Sequence, residues 1–372
     1  MTHRYRPTFA EIRPAAITAN VARLVEHCAP AAVCAVVKGD GYGHGAELAA
    51  RAALAGGASW LAVALPEEAL ALREAGIDAP TLLLSEPVAE AWDDLLAAAV
   101  DVTVYRPSGI DAADAAARRL DVDASLHLKI DTGMHRVGCD PADAVELAQR
   151  IGAADRLRLA GVSTHFATAD DPSSLFRAVQ LDRYRDVLDA LEAAGVAGHL
   201  RHAANSAAAI SLPAARFDLV RCGIACYGVP PSWELAGRLD LEPAMRLVSA
   251  VSHVTRIAAG EPVSYGCRFV AEQETTILTV PIGYADGVPR ALGLNGGYVL
   301  VRGERLPVIG TVTMDQLMVD AGDLAVRVGE EVVLIGRQGD DEISANEVAS
   351  REGSIGYEIV TRLGPRVPRV EV

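Results

Sequence analysis

Through its first two-thirds the sequence alternates short aliphatic or β-branched runs with longer amphipathic, alanine-rich stretches, and this alternation limits the fold more than any other feature. Strands are expected over 33–38, 60–64, 81–85, 101–105, 125–130, 159–165, 200–204 and 219–221. Helical patterns fall between them, as at 47–55, 66–75 and 176–194. In the last of these, Phe176, Val179, Tyr184, Val187, Leu188 and Leu191 keep near-helical spacing. About eight β-then-α units in about 230 residues predict an α/β fold, a (β/α)8 TIM-like barrel over residues 1–240. A doubly wound open sheet is the alternative, but no GxGxxG turn follows a strand to favour it. After Pro243 strand-like runs continue without long helices, at 246–257, 276–282, 298–301, 306–320 and 331–335. Turn residues separate them, and the pattern predicts a second, mainly β domain over 241–372.

Charge and composition narrow the partners. A net charge of -15 opposes binding to nucleic acid or an anionic membrane surface, since both need a basic footprint. No apolar run approaches the roughly 18 residues of a membrane span. The first residues lack the apolar core of a secretory signal, so a cytoplasmic protein acting on a small molecule is expected. Six scattered cysteines without a CxxC pair read as reduced, buried thiols rather than metal ligands, and no metal is expected.

Reactive side chains cluster at one end of the expected strands. Lys38 ends the first; Lys129 and Asp131 end the fifth. His165 ends the sixth, Asn205 and Ser206 follow the seventh, and Arg221 and Gly223 follow the eighth. Alone, each would pass for a surface lysine or a structural histidine. Together they occupy the face on which barrel active sites are built. A lysine at the mouth of a dry barrel is suited to Schiff-base chemistry, because desolvation favours the neutral amine.

Ala35-Val36-Val37-Lys38-Gly39-Asp40-Gly41-Tyr42-Gly43-His44-Gly45 resembles the lysine segment of alanine racemases, usually KADAYGHG, with Gly39 and Gly41 replacing alanines. The resemblance continues through Lys129-Ile130-Asp131-Thr132-Gly133-Met134-His135-Arg136, His165-Phe166-Ala167, His202-Ala203-Ala204-Asn205-Ser206 and Arg221-Cys222-Gly223-Ile224. It extends to Val263-Ser264-Tyr265-Gly266, Ile282-Gly283-Tyr284-Ala285-Asp286-Gly287, Thr313-Met314-Asp315-Gln316 and Gly356-Tyr357-Glu358, and so spans essentially the whole chain.

The resemblance implies a pyridoxal 5'-phosphate enzyme that interconverts L- and D-alanine, supplying D-alanine for peptidoglycan precursors. Lys38 would carry the cofactor, with His165 beside it and Arg221 facing the pyridine nitrogen. Its phosphate would rest on Tyr42, Ser206, the N–H groups of Gly223 and Ile224, and Tyr357. Lys129 would be carbamylated and hold Arg136, which orients substrate. Lys38 and Tyr265 would be opposed catalytic bases, Met314 would offer a backbone N–H to the substrate carboxylate, and Tyr284 would line the entrance. Thr311 stands where the family usually has an entrance arginine. The resemblance also implies a homodimer whose active sites are shared, Tyr265 and Met314 reaching the second copy's barrel.

Three other readings compete. A cofactor carrier without turnover would consist of the barrel alone. A barrel decarboxylase would place a carboxylate, not Arg221, at the ring nitrogen. A serine or broad-specificity racemase differs only in substrate breadth, and Thr311 keeps that reading open.

Overall fold

The computed structural model describes residues 5–372. They form two compact units, one of Ile17–Glu242 and one of Pro243–Val372 joined by the residues up to Ala16. The first strand, β1 (Phe9–Ile12), therefore belongs to the second unit, although its position in sequence falls within the 1–240 stretch read as barrel.

The first unit contains β2 (Ala32–Val36), β3 (Trp60–Val63), β4 (Thr81–Leu83), β5 (Asp101–Val104), β6 (Ala124–Lys129), β7 (Leu157–Ser163), β8 (Leu200–His202) and β9 (Leu219–Cys222). All pair in parallel, in the order β8-β7-β6-β5-β4-β3-β2-β9. The two ends of this order meet: Asp218 N donates to Arg201 O (3.1 Å) and Arg221 N to Ala204 O (2.9 Å), beside a parallel bridge between Asn205 and Arg221. The sheet thus closes into a barrel, with helices such as Pro66–Glu74, Pro107–Leu120 and Ala144–Gly152 linking its strands.

Small residues let those helices pack closely. Pro107–Leu120 turns Ile110, Ala113, Ala116 and Ala117 into the core, all buried. Phe176–Ala193 buries Tyr184, Val187 and Leu191 as the apolar spacing predicts, but Val179 is exposed, and Leu181 and Gln180 are buried instead. The reason is polar. Gln180 accepts from Ala167 N (2.8 Å) and donates to His165 O (3.0 Å), satisfying the backbone of the loop after β7.

Between β6 and β7 the register slips at Leu126/His127 and sets Gly161 beside His127. A Cβ at Gly161 would come within 2.3 Å of His127 Nδ1 and 3.0 Å of His202 Nε2, so only glycine leaves room for that pair. From β3, Trp60 meets His127 edge-on, with ring centroids 5.7 Å apart. The barrel interior is a packed core rather than a pore.

The second unit adds β10 (Met245–Ala250), β11 (His253–Ile257), β12 (Pro262–Val263), β13 (Phe269–Val270), β14 (Thr275–Val280), β15 (Tyr298–Val301), β16 (Glu304–Ile309), β17 (Leu317–Gly322), β18 (Glu331–Gln338), β19 (Asp341–Ile343) and β20 (Arg369–Glu371). Its main sheet runs β11-β14-β17-β16-β15-β18-β10-β1-β20, with β19 on β18 and a separate β12-β13 ribbon. β1 pairs antiparallel with β10 and parallel with β20. Two short helices, Ala345–Arg351 and Gly356–Thr361, complete this mainly β unit. Among the described residues no helix is long and apolar enough to cross a membrane. Cys267 is exposed, unlike the other five cysteines.

Asp286 is fully buried, yet both terminal nitrogens of Arg6 lie 2.9 Å from its oxygens and Arg366 approaches to 3.2 Å. It also accepts from Gly283 N (3.0 Å), closing the turn that carries Tyr284. Asp286→Ala removes the acceptor of Arg6 and of Gly283 N, while the partly exposed arginines regain water, so it should cost about 1–2 kcal/mol. A fall in the thermal midpoint of the purified protein checks this; an unchanged midpoint refutes it.

Candidate active site

β2 stops at Val36, and Lys38 opens a short turn rather than ending a strand. The next four residues, Gly39 to Tyr42, all have φ between 51° and 62° and ψ between 40° and 52°. Four successive left-handed residues are costly for side chains with a Cβ, and glycine at 39 and 41 removes half of that cost. The two glycines that differ from the family's usual alanines are thus suited to this turn. At Gly41 a Cβ would also lie 2.9 Å from that of Ala49.

Neighbours hold the turn in place. Glu68 accepts from Gly39 N (2.6 Å) and also from Ala64 N (2.9 Å) and Leu65 N (3.1 Å). Asp40 accepts from Ala46 N (2.8 Å), at the start of helix Ala46–Ala55. Tyr42 stacks on Tyr227 at 5.1 Å, and Tyr227 donates to Val36 O (3.0 Å).

Tyr42 points at Gly223. A Cβ there would come within 2.3 Å of the Tyr42 hydroxyl, which makes glycine necessary. Ser206 Oγ accepts from Gly223 N (2.9 Å), so hydroxyls of Tyr42 and Ser206 and the backbone of Gly223-Ile224 share one small region. Burial pushes the Tyr42 pKa up, keeping the hydroxyl as a donor. Such a set of donors suits a phosphate.

The loop after β6 closes on itself, with Asp131 N on Cys139 O (2.9 Å) and Cys139 N on Lys129 O (2.8 Å). Asp131 accepts from Gly133 N (2.9 Å) and His135 N (3.0 Å), ordering the segment that bears Arg136.

Arg221 is buried and donates to His202 Nδ1 (2.9 Å), His202 O (2.7 Å), Thr164 O (2.6 Å) and Ala203 O (3.0 Å), with His165 Nδ1 at 3.5 Å. None of these acceptors is a carboxylate. Its charge and burial shape the neighbouring groups. Burial first, then the charges of Arg221, Arg136 and Lys38, bring the Lys129 amine down to about 7, against a smaller pull from Asp131. Burial and Arg136 likewise lower Lys38, partly opposed by Glu68. His165 is driven well below its ordinary value by burial and then by Arg221, and stays neutral.

Lys38, Tyr42, Lys129, Arg136, His165, Ser206, Arg221, Gly223 and Ile224 are thereby gathered at one end of the barrel. The second unit assembles a group of its own. Tyr284 N donates to Thr313 O (3.0 Å) and Ala285 N to Met314 O (3.1 Å), locking Tyr284 beside Met314. Thr311, expected at an entrance, is buried: its hydroxyl donates to Tyr265 O (3.1 Å), and Ser264 donates back to Thr311 O (2.6 Å). Tyr265 itself is 73% exposed and Met314 52%. Tyr357 lies in helix Gly356–Thr361 of the same unit.

Sequence patterns left Glu68, His127 and Gly161 unassigned. His127 had a signal, being two residues before Lys129 and so on the same face of its strand. A stronger signal lay in the composition: of 34 lysines and arginines, only two are lysines, Lys38 and Lys129. Every other residue of that set is arginine, and both lysines lie where burial lowers the pKa of the amine.

The chain is similar over nearly its whole length to known proteins. Residues 12–231 match the family described as alanine racemase, N-terminal domain, and residues 244–371 match alanine racemase, C-terminal domain. The alanine racemase of Symbiobacterium thermophilum is 45% identical, with 98% of this chain and 97% of that one covered. That of Thermobifida fusca is also 45% identical, with 98% of each covered. The crystal structure of alanine racemase from a D-cycloserine-producing Streptomyces lavendulae superimposes with a TM-score of 0.94 at 42% identity, covering 100% of this chain and 98% of that one.

The depressed Lys129 amine gives a pH test. Unfolded, it titrates near 10.5; folded, near 7. Between those values the unfolded chain binds the extra proton, so stability should rise with pH across this window, the penalty being complete below it. In carbonate-free buffer the urea midpoint should climb as pH is raised from 7, and Lys129→Met should flatten that slope. A parent slope already flat would show that the amine is not depressed.

Proposed function

The chain belongs to the alanine racemase family and is an isomerase that interconverts L-alanine and D-alanine; we propose that pyridoxal phosphate held on Lys38 is its cofactor and that Lys38 and Tyr265 are its two bases. The observation that carries this is the confinement of the chain's two primary-amine side chains to the barrel mouth, both with lowered pKa.

The residues present fit the cofactor. Lys38 offers a partly buried amine for its aldehyde, and Tyr42, Ser206 and the N–H groups of Gly223 and Ile224 would hold its phosphate, to which the family resemblance adds Tyr357. Arg221, which can only donate, would meet the ring nitrogen as an acceptor and leave it unprotonated, with His165 beside it. When bound, the cofactor supplies an electron-withdrawing conjugated ring that acidifies the Cα–H bond of the amino acid joined to it. Decarboxylation and transamination favour a carboxylate at the ring nitrogen, and Arg221 opposes both.

Lys38 takes or returns the Cα proton on one face and Tyr265 on the other, which inverts the centre. A tyrosine with an ordinary pKa near 10 needs positive charge close by to act as a base, and Arg136 with the His165–Arg221 pair would supply it. Met314 would give its backbone N–H to the substrate carboxylate. The neutral Lys129 amine is able to add CO2, losing a proton as the N–C bond forms; the resulting carbamate would hold Arg136 toward the substrate. The exposure of Tyr265, Tyr284 and Met314 supports a homodimer in which each chain completes its partner's site. We further infer a cytoplasmic enzyme whose D-alanine feeds peptidoglycan precursors.

Borohydride should fix the cofactor to the peptide containing Lys38. With Lys129 as the chain's other lysine, a peptide map decides between them, and label on Lys129 would reverse the assignment. The same scarcity makes 13C-bicarbonate informative: a single carbamate resonance should appear and vanish in Lys129→Arg.

The two-base assignment is tested in heavy water. Tyr265→Phe should still exchange the Cα proton of D-alanine through Lys38 and return it as D-alanine. Exchange into L-alanine should fall by roughly 10²–10⁴-fold, the usual range of a general base. Equal residual exchange from both isomers would remove Tyr265 from the mechanism.

A further inference from the structure

Below the barrel mouth a line of buried polar groups runs the depth of the barrel. Arg221 donates to His202 Nδ1 (2.9 Å); His202 Nε2 lies 2.8 Å from His127 Nδ1; His127 Nε2 lies 3.2 Å from Asp101 Oδ2. Both histidines are buried, and Asp101 opens β5, at the end of the barrel opposite Lys38. The bulge between β6 and β7 and the missing side chain of Gly161 make the space in which the two rings meet.

The direction of every proton in this line follows from its upper end. A guanidinium has no acceptor, so His202 Nδ1 must accept and its proton sits on Nε2. That proton is donated to His127 Nδ1, which places the His127 proton on Nε2, facing the acceptor-only carboxylate of Asp101. Burial and the nearby Arg221 charge hold His202 well below its ordinary pKa, in keeping with a neutral ring.

We propose that Asp101 is a positioning residue of the active centre, acting through His127 and His202 to hold the Arg221 guanidinium in place. The proposal rests on the reading of Arg221 as the group that faces the cofactor ring. Without an acceptor at 101, the His127 proton is free to move to Nδ1. His202 must then carry its own proton on Nδ1, and two N–H groups oppose each other at the Arg221 contact. Arg221 gives way, although the lesion is at the far end of the barrel.

Histidine 15N spectra of the holoenzyme should show His127 and His202 as Nε2–H tautomers, each with an acceptor-type Nδ1. In Asp101→Leu the His202 signal should shift toward the other tautomer. A hydrogen bond lost at this distance should lower kcat about tenfold in both directions, with KM for alanine changing far less. Asp101→Asn retains an acceptor oxygen and should restore both readouts. Reversed tautomers in the parent enzyme would overturn the proposal, and this measurement stands even if Asp101→Leu fails to fold. So would an Asp101→Leu protein that loses thermal stability but keeps the parent tautomers and kcat. Failure of the underlying reading looks different: Arg221→Lys would leave the cofactor absorption and kcat unchanged, whatever the tautomers.

Discussion

A guanidinium held only by neutral acceptors is the interaction on which the barrel mouth depends. Arg221 lies on the strand that closes the barrel, where few backbone hydrogen bonds join the last strand to its neighbour. Its side chain adds bonds to the carbonyls of Thr164, His202 and Ala203, which follow or end β7 and β8. One residue thus stitches the seam and fixes the electrostatics of the site. Burial pushes Lys38, Lys129 and His165 toward their neutral forms; with no carboxylate on the guanidinium, the Arg221 charge adds to this at Lys129 and His165, and Arg136 adds to it at Lys38.

The second unit organises its reactive loops by the same economy of backbone bonding. Ser264 donates to Thr311 O while the Thr311 hydroxyl donates to Tyr265 O, and Ser264 is held at a φ of 66°, a region that residues with a Cβ rarely enter. Thr311 therefore supports the backbone of Tyr265 directly.

Much of this was legible in the sequence. The barrel showed itself because strand and helix periodicities alternate cleanly, and the site because Lys38, Lys129, His165, Ser206 and Arg221 fall at or just past the same end of successive strands. What stayed hidden depends on three-dimensional context. The left-handed turn after Lys38 reads as an ordinary glycine-rich loop, since a row of positive φ angles leaves no periodicity. Gln180 displaced Val179 from the core because of loop carbonyls and amides that no helical pattern records. Gly161 is meaningful only beside a register slip, and Glu68 only once the chain has folded back on Gly39. The burial of Thr311 and its hydrogen bond to Tyr265 O follow from a crossing of two loops that no sequence pattern records.

The pairing of β1 has a consequence for how the molecule is made. This strand lies between β10 and β20, so both of its neighbours come from much later in the sequence. During synthesis it leaves the ribosome before any barrel strand and then waits with both edges unpaired while the entire barrel is translated. The barrel needs no partner from β1 and can form in the meantime, but the second sheet cannot be finished until its two distant strands arrive. A change that disrupts β1 would therefore act late, on the closing step of biogenesis, and would leave a folded barrel attached to an open sheet edge, a template for aggregation.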